Sequence, residues 1–385
     1  MIGQQYLLLP GPTPIPERVQ QAMNRPMINH RGPEFRDILL EVNRGVKSIY
    51  GTDHNLLIYP SSGTGALEAS IVNFISPGDK VLAISIGVFG DRFASIAQNF
   101  GAQVEKLSFK WGQGADPNVV REAISKDKEK RIKAVVVTHN ETSTGTYNDI
   151  KAIKEAMQDH PALLMVDCVS GLGALEFQMD AWGVDVALSG SQKAFMIPPG
   201  LGFMAFSDRA LKIHGQNNNH RFYWDVTEGL KYLEKGQTAF TPAISLFYGL
   251  QEALSMMLAE GVDNIIKRHL RYRNMVRSAI RAMGMDLLAA EEQASTAVTA
   301  VLAPGGAGAN QIRSRMLNRF NIVVAGGQQE LDDVMFRLGH LGYVRELDLL
   351  AVIAALEIVM LESGFKVELG AGVNQAQKFM LRAED

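Results

Sequence analysis

Short runs of aliphatic and β-branched residues alternate with longer helical stretches from residue 55 onward. "KVLAISI" (80–86), "IKAVVVTH" (132–139), "ALLMVDC" (162–168) and "DVALSG" (185–190) carry almost no polar interruption, so each must bury both faces. Between them "DRFASIAQNFG" and "DIKAIKEAMQDH" repeat apolar residues at the spacing of an amphipathic helix. Strands buried on both sides and joined by helices leave one broad solution, a mostly parallel sheet flanked by helices. "GFMAFS" (202–207) follows the preceding strand too closely for a crossover helix, so it is expected to pair antiparallel.

A chain of 385 residues exceeds what one core organises well, which favours two domains. After "DVALSG" and "GFMAFS" comes a long helical region, "PAISLFYGLQEALSMMLAEG" followed by "VDNIIKRHLRYRNMVRSAIRAMG". Beyond it, the strands "STAVTAVLAP", "FNIVVAGG" and "DVMFRLGHLG" alternate with the helices "GANQIRSRMLNRF" and "ELDLLAVIAALEIVMLESG". The expected organisation is an N-terminal segment, 1–16, a large domain, 17–262, and a smaller C-terminal α+β domain, 263–385. The segment "GQNNNHRFYWD" (215–225), polar and then aromatic, reads as a loop over a pocket or interface. Charged residues make up 21% and the net charge is −3, so bulk charge draws the chain to neither nucleic acid nor membrane. One cysteine, Cys168, rules out an internal disulfide or a site of four cysteines and suits a reducing cytoplasm. The start, "MIGQQYLLLPGPTPIP", lacks the basic region and apolar length of a signal peptide, and no apolar run reaches bilayer length.

Three chemical signals fall at strand ends. "NLLIYP" runs into Ser61-Ser62-Gly63-Thr64-Gly65 and then a helical pattern, so free N–H groups gather at the positive end of a helix, where phosphate binds. The plainer explanation is a helix capped by Thr64 with Glu68 in its first turn. Asp167 ends "ALLMVDC" at the edge where open α/β sheets bind ligands, although a turn-forming aspartate is also common there. Lys193 follows one strand later, between Ser189, Gly190 and Ser191 on one side and Pro198, Pro199 and Gly200 on the other. A desolvated lysine there is a usable amine nucleophile, whereas a solvated loop lysine is merely ordinary. Phe89 in "SIGVFGDR" supplies an aromatic face at the same edge, or simple core packing.

A lysine, a carboxylate, a helix N-terminus and a flat apolar partner are what pyridoxal phosphate requires of a protein. Taken in order, "LLPGPTPIP", "SSGTGALEA", "GVFGDR", "THNETSTG", "VDCVSGLGA", "SGSQKAFMIPPG", "TPAISL" and "FRLGHLG" resemble the class V aminotransferases of PLP fold type I. Within that family the alanine–glyoxylate and serine–glyoxylate (serine–pyruvate) group is the most similar. The resemblance covers nearly the whole chain, and the "SGSQK" element with "VDxVSxLG" is its most specific part.

The resemblance implies that Lys193 carries the cofactor as an internal aldimine and then serves as the base. Asp167 pairs with the pyridine nitrogen, while Val169 and Phe89 pack on the two ring faces. Gly63, Thr64 and Gly65 cradle the phosphate with help from Gln192, and Thr241 reaches the phosphate of a partner subunit in a homodimer with shared sites. Thr142 lies near the ring hydroxyl or substrate, Gly11 brings backbone close to the substrate, and Arg337 holds the substrate α-carboxylate. The implied reaction moves an amino group from alanine or serine to glyoxylate or pyruvate. Two departures stand out: Phe89 occupies a position that is often tryptophan, and no tyrosine precedes Thr241 in "GQTAFTP". His30 and Arg31 of "INHRGPEF" are candidate substrate-facing groups, with a buried structural role favoured for His30. Arg31 or Arg221 could take a second carboxylate in an aspartate-type enzyme. Rival readings are a cysteine desulfurase using Cys168, a subunit of an electron-transfer complex, and a nucleotide-binding dehydrogenase, whose glycine fingerprint is missing.

Overall fold

The structure, a computed structural model, describes residues 5–305 and 308–381. The first four residues of the expected N-terminal segment, the last four of the C-terminal domain, and residues 306 and 307 lie outside it. Thirteen strands are described in chain order: β1 Tyr6–Leu8, β2 Asn55–Ser61, β3 Lys80–Ser85, β4 Gln103–Ser108, β5 Ile132–Thr138, β6 Asn140–Glu141, β7 Thr146–Tyr147, β8 Leu163–Asp167, β9 Val186–Gly190, β10 Gly200–Phe206, β11 Val298–Leu302, β12 Ile322–Gly326 and β13 Met335–Gly339.

Seven of them form one sheet in the order β2-β10-β9-β8-β5-β3-β4. Five consecutive strands run parallel from β9 to β4, and β10 is antiparallel to both β9 and β2. The expected strands sit within a residue or two of their sequence bounds, including the reversed β10. Nearly every residue along the central strands is buried, and successive residues enter opposite layers. Leu82, Ile84, Val135, Val137, Leu164 and Val166 join one apolar layer, and Val81, Ala83, Ala134, Val136, Leu163 and Met165 join the other. Period-two geometry turns a continuous apolar run into two packed faces. Each fully buried large side chain contributes about 1.5–3 kcal/mol, so neither layer is dispensable.

The helices that cover these faces follow from local sequence. Pro33–Tyr50 starts with proline in its first turn, ends at Gly51 with φ 63°, and buries Phe35, Ile38, Leu39, Val42, Val46 and Ile49 as a stripe at helical spacing. Gly63–Phe74 and Val88–Asn99 lie against the opposite layer. Because β2, β3, β5, β8 and β9 all point one way, their carboxyl ends share one edge. The glycine turn, Phe89, the β6–β7 hairpin, Asp167 and Lys193 all leave from it.

A second sheet, β1-β12-β13-β11, has its own apolar cluster built with helices Val262–Ala282, Ala309–Phe320, Glu346–Glu362 and Ala371–Met380. Its outermost strand comes from the chain start: Tyr6, Leu7 and Leu8 pair parallel with Ile322, Val323 and Val324. Leu9 then passes Gly339 so closely that a β-carbon at position 339 would lie 2.2 Å from the Leu9 carbonyl carbon. From there residues 10–13 cross to the Lys193 loop, where Thr13 N–H donates to Gln192 O (3.2 Å) and Thr13 Oγ1 to Lys193 O (2.9 Å). The segment "GQNNNHRFYWD" is a loop, as its composition suggests. Its Asn217 and Asn219 side chains donate to Ile75 O, so it serves the carboxyl end of helix Gly63–Phe74.

Candidate active site

A cleft of about 620 Å³, counting its open mouth, lies at the carboxyl edge of the large sheet. Lys193 reaches into it from the loop after β9. That loop is held shut by Ser191, whose Oγ donates to Pro198 O (2.7 Å) and accepts from Leu201 N–H (3.1 Å). Lys193 Nζ donates to Pro10 O at 2.6 Å. Burial pushes the amine down to about 8, even though Asp167 favours its charged form and Arg337 and Arg92 oppose it. Gly11 has φ 128°, and a β-carbon there would sit 2.5 Å from Nζ. Only glycine permits both that backbone conformation and that approach.

Asp167 ends β8, paired in register with Thr138, the last residue of β5. It is 3% exposed. Its Oδ1 accepts from Val169 N–H (2.9 Å), so the turn-forming role open to such a residue is filled as well. Burial pushes the carboxyl up to about 6, against the Val169 N–H and the Lys193 amine, which favour the anion. A buried carboxylate and a buried amine whose affinities for the proton have moved toward each other mark a functional site.

The phosphate-type cradle is local. Helix Gly63–Phe74 starts at Ser62, whose side chain makes no capping bond, so Thr64 is not the cap. Glu68 instead accepts from Trp224 Nε1 (3.0 Å). Gly63 is required by Val169, whose Cγ2 would lie 2.5 Å from an added β-carbon. Ser62, Gly63, Thr64 and Gln192 line the cleft, and Gln192 Oε1 is a buried oxygen without a hydrogen-bond partner among the described residues. Phe89 and Val169 also line it, and the Arg92 guanidinium stands 4.7 Å from the Phe89 ring centre.

The hairpin β6–β7 forms the remaining wall. Thr142 lines the cleft, and its carbonyl accepts from Arg337 Nη1 (2.8 Å). Arg337, on β13 of the second sheet, is 6% exposed and stands behind Thr142 rather than on the cleft wall. Its Nε donates to Gly326 O (2.8 Å), while Nη2 takes no hydrogen bond among the described residues. Burial lowers its pKa to about 10, opposed by the Glu141 carboxylate. A buried guanidinium with a donor to spare is a site for an anion.

Thus Lys193, Asp167, Gly63, Thr64, Phe89, Thr142, Val169 and Gln192 share one cleft, with Gly11 against the lysine and Arg337 one residue behind. Gly65 stands apart from the lining, packed toward Ser61 and Trp224. Thr241 is exposed and away from its own chain's cleft. His30 is only half-buried, against the burial expected of it. Arg31 donates to Gln237 Oε1 and Thr238 O, and Arg221 to Asp225 and Val72 O, so both are engaged elsewhere. Cys168 is fully buried and its thiol is pushed well up, which suits core packing and not a mobile nucleophile.

Asn140, Ser170 and Arg92 line the cleft without having been picked out from the sequence. Asn140 Nδ2 donates to Ser170 Oγ (2.9 Å), and its Oδ1 is buried without a partner among the described residues. Glu141 was missed as well. The signal for Asn140 and Glu141 was the clustering of polar residues in "THNETSTG", directly after a strand at the ligand-binding edge, while Arg92 and Ser170 sit in "GVFGDR" and "VDCVSGLGA" at the same edge.

A family model described as aminotransferase class V matches residues 5–346. A protein from Anabaena cylindrica named soluble hydrogenase 42 kDa subunit is 44% identical over 98% of this chain and 99% of its own length. An L-aspartate–glyoxylate aminotransferase from Paracoccus denitrificans and a serine–glyoxylate aminotransferase from Methylorubrum extorquens are each 38% identical, over 98% of this chain and 96% of theirs. Among solved structures, an alanine–glyoxylate aminotransferase from Nostoc sp. superposes with a TM-score of 0.89 at 31% identity, covering 94% of this chain and 96% of that one.

Proposed function

This chain belongs to the class V aminotransferases, and from that premise we propose that it is a pyridoxal-phosphate enzyme moving an amino group from alanine or serine to glyoxylate or pyruvate. The observation that carries the reading is the convergence of Lys193 Nζ and the Asp167 carboxyl on one cleft beside an uncapped helix N-terminus. The residues fit the cofactor. The unpartnered Gln192 Oε1 and the cradle at Gly63 are matched to a polar group and a close approach, and Phe89 and Val169 offer apolar faces.

When bound, the cofactor supplies an electron sink for the bond broken at the amino acid's Cα. Asp167, ionised above about pH 6, holds a proton on the ring nitrogen. Lys193, with its pKa near 8, would hold the cofactor's aldehyde carbon, and its free amine is the group placed to take and return the Cα proton. Thr142 and Arg337 orient the substrate, the latter through its α-carboxylate. Thr241 reaches the phosphate of a second copy, so the working unit is a homodimer. Support for that comes from the aromatic patch next to Thr241, where Tyr223 stacks on Phe240 at 4.8 Å and Phe222 is 80% exposed. A cytoplasmic setting fits the single buried thiol. No helix among the described residues is long and apolar enough to cross a membrane.

The hydrogenase name belongs to the relative. A chain with one cysteine in 385 residues has no four-thiolate set of its own for an iron–sulfur cluster. An aspartate-type donor is the second reading, because Arg92 lines the cleft and could take a side-chain carboxylate. Borohydride reduction of the purified holoenzyme is expected to fix the cofactor to the peptide containing Lys193, and label elsewhere overturns the assignment. A donor panel against glyoxylate and pyruvate then decides the substrate: turnover with aspartate far above alanine and serine selects the second reading.

A further inference from the structure

Glu141 is the most enclosed carboxylate at the site, fully buried and outside the cleft wall. Four donors converge on it. Oε2 accepts from Phe89 N–H (3.0 Å) and Gly90 N–H (3.1 Å), in the first turn of helix Val88–Asn99. Oε1 accepts from Ser143 N–H (3.1 Å) and Ser143 Oγ (2.5 Å). Three of the four are N–H groups that can only donate, and Ser143 Oγ already accepts from Val88 N–H (3.1 Å) with its own proton free to give, so the hydrogen-bond pattern favours the anion. Gly87 makes room for it, since a β-carbon there would lie 2.6 Å from Glu141 Cγ. The next residue, Thr142, receives Arg337 Nη1 on its carbonyl. The neighbours Glu141 and Thr142 therefore tie the helix bearing Phe89 and Arg92 to the strand bearing Arg337.

We infer that Glu141 is the site's internal counter-ion, a positioning residue that fixes Phe89 and partly neutralises Arg337, so that a substrate carboxylate is held loosely enough to leave. The inference rests on the proposed role of Arg337 and adds a sign to it. The Arg337 charge is shared between a permanent buried anion and a transient one, and removing the permanent anion must strengthen the transient one's hold. Burial pushes Glu141 up to about 6, with Ser143 and Gly90 favouring its anion and Asp167 disfavouring it, so it remains charged near neutral pH. The other charges that Arg337 faces, Arg313 and the Lys193 amine, are cations.

The test is calorimetric titration of the holoenzyme at pH 8 with acetate, a carboxylate that cannot react, alongside steady-state kinetics. Arg337→Ala should abolish acetate binding; if it does not, the proposed role of Arg337 fails, independently of Glu141. With that role in place, Glu141→Gln should bind acetate about fivefold tighter, with a lower kcat and a lower KM for the amino donor. A purely structural Glu141 would loosen Phe89 and weaken acetate binding, so affinity equal to or below that of the parent overturns the inference. Should Glu141→Gln not yield folded protein, Ser143→Ala keeps the charge while removing one of its donors. Acetate affinity is then expected to stay within about twofold of the parent or to rise, and a loss beyond about tenfold overturns the inference.

Discussion

Replacing Asp167 by asparagine should make the cofactor-free protein more stable and the enzyme nearly inert. Burial lifts the Asp167 carboxyl from 3.8 to about 6, so between those values the folded chain keeps a proton that the unfolded chain gives up. Stability from this group is therefore whole below about pH 4, drains away as pH rises through 6, and stays lost above it. At about 1.4 kcal/mol for each pK unit, the ionised carboxyl costs roughly 3 kcal/mol at pH 8. Asparagine is nearly the same size. Its oxygen can still accept from Val169 N–H, and its amide can turn toward Thr138, so most of that cost should be recovered. The assay is thermal unfolding of cofactor-stripped parent and variant at one scan rate from pH 4 to 8, with a midpoint gain of several degrees expected at pH 8 and almost none at pH 4. Turnover of the loaded variant should fall by roughly 10²–10³-fold or more, because no anion then holds the ring-nitrogen proton. A variant less stable than the parent at pH 8, or a gap that ignores pH, refutes the claim that this carboxyl is held at a cost for function.

Gly11→Ala forces a methyl within 2.5 Å of Lys193 Nζ at a backbone φ of 128°, so kcat should drop by about 10²-fold, measured beside cofactor content to show that loading survives. Arg337→Lys keeps the charge and loses the fork, and KM for the amino donor should rise about tenfold or more with a smaller change in kcat. Arg92→Ala should spare alanine and serine turnover; if it abolishes only an aspartate reaction, the second donor reading gains its residue. Cys168→Ala should keep full transaminase activity while losing about 1–2 kcal/mol of stability in denaturant, and loss of activity would return Cys168 to the chemistry.

Much of this architecture was legible because it depends on period. The two-faced apolar runs named β3, β5, β8 and β9, and the short link to β10 forced the reversed strand. Lys193 and Asp167 were legible because a strand's end is a fixed place: whatever follows "LLMVD" and "VALSG" must emerge at the same edge. What escaped was contact made at right angles to the sequence. Thr64 looks like a helix cap in isolation, yet Ser62 precedes the helix and Glu68 is claimed by Trp224, more than 150 residues away. Arg221 resembles a ligand-binding arginine until its bonds to Asp225 and Val72 are seen. Glu141 leaves no periodic trace, since its partners sit about fifty residues back at Phe89 and Gly90. The contact of Pro10 with Lys193, across 183 positions, depends on β1 joining a sheet made by the far end of the chain.

That last contact sets an order of events during synthesis. A ribosome releases Lys193 and Asp167 long before it makes residues 322–326, the strand on which Tyr6–Leu8 settles. Until then Thr13, bonded to Gln192 O and Lys193 O, is the segment's hold on this loop, and the roof over the amine lacks its strand anchor. That part of the site therefore waits on backbone made more than a hundred residues after the lysine it covers.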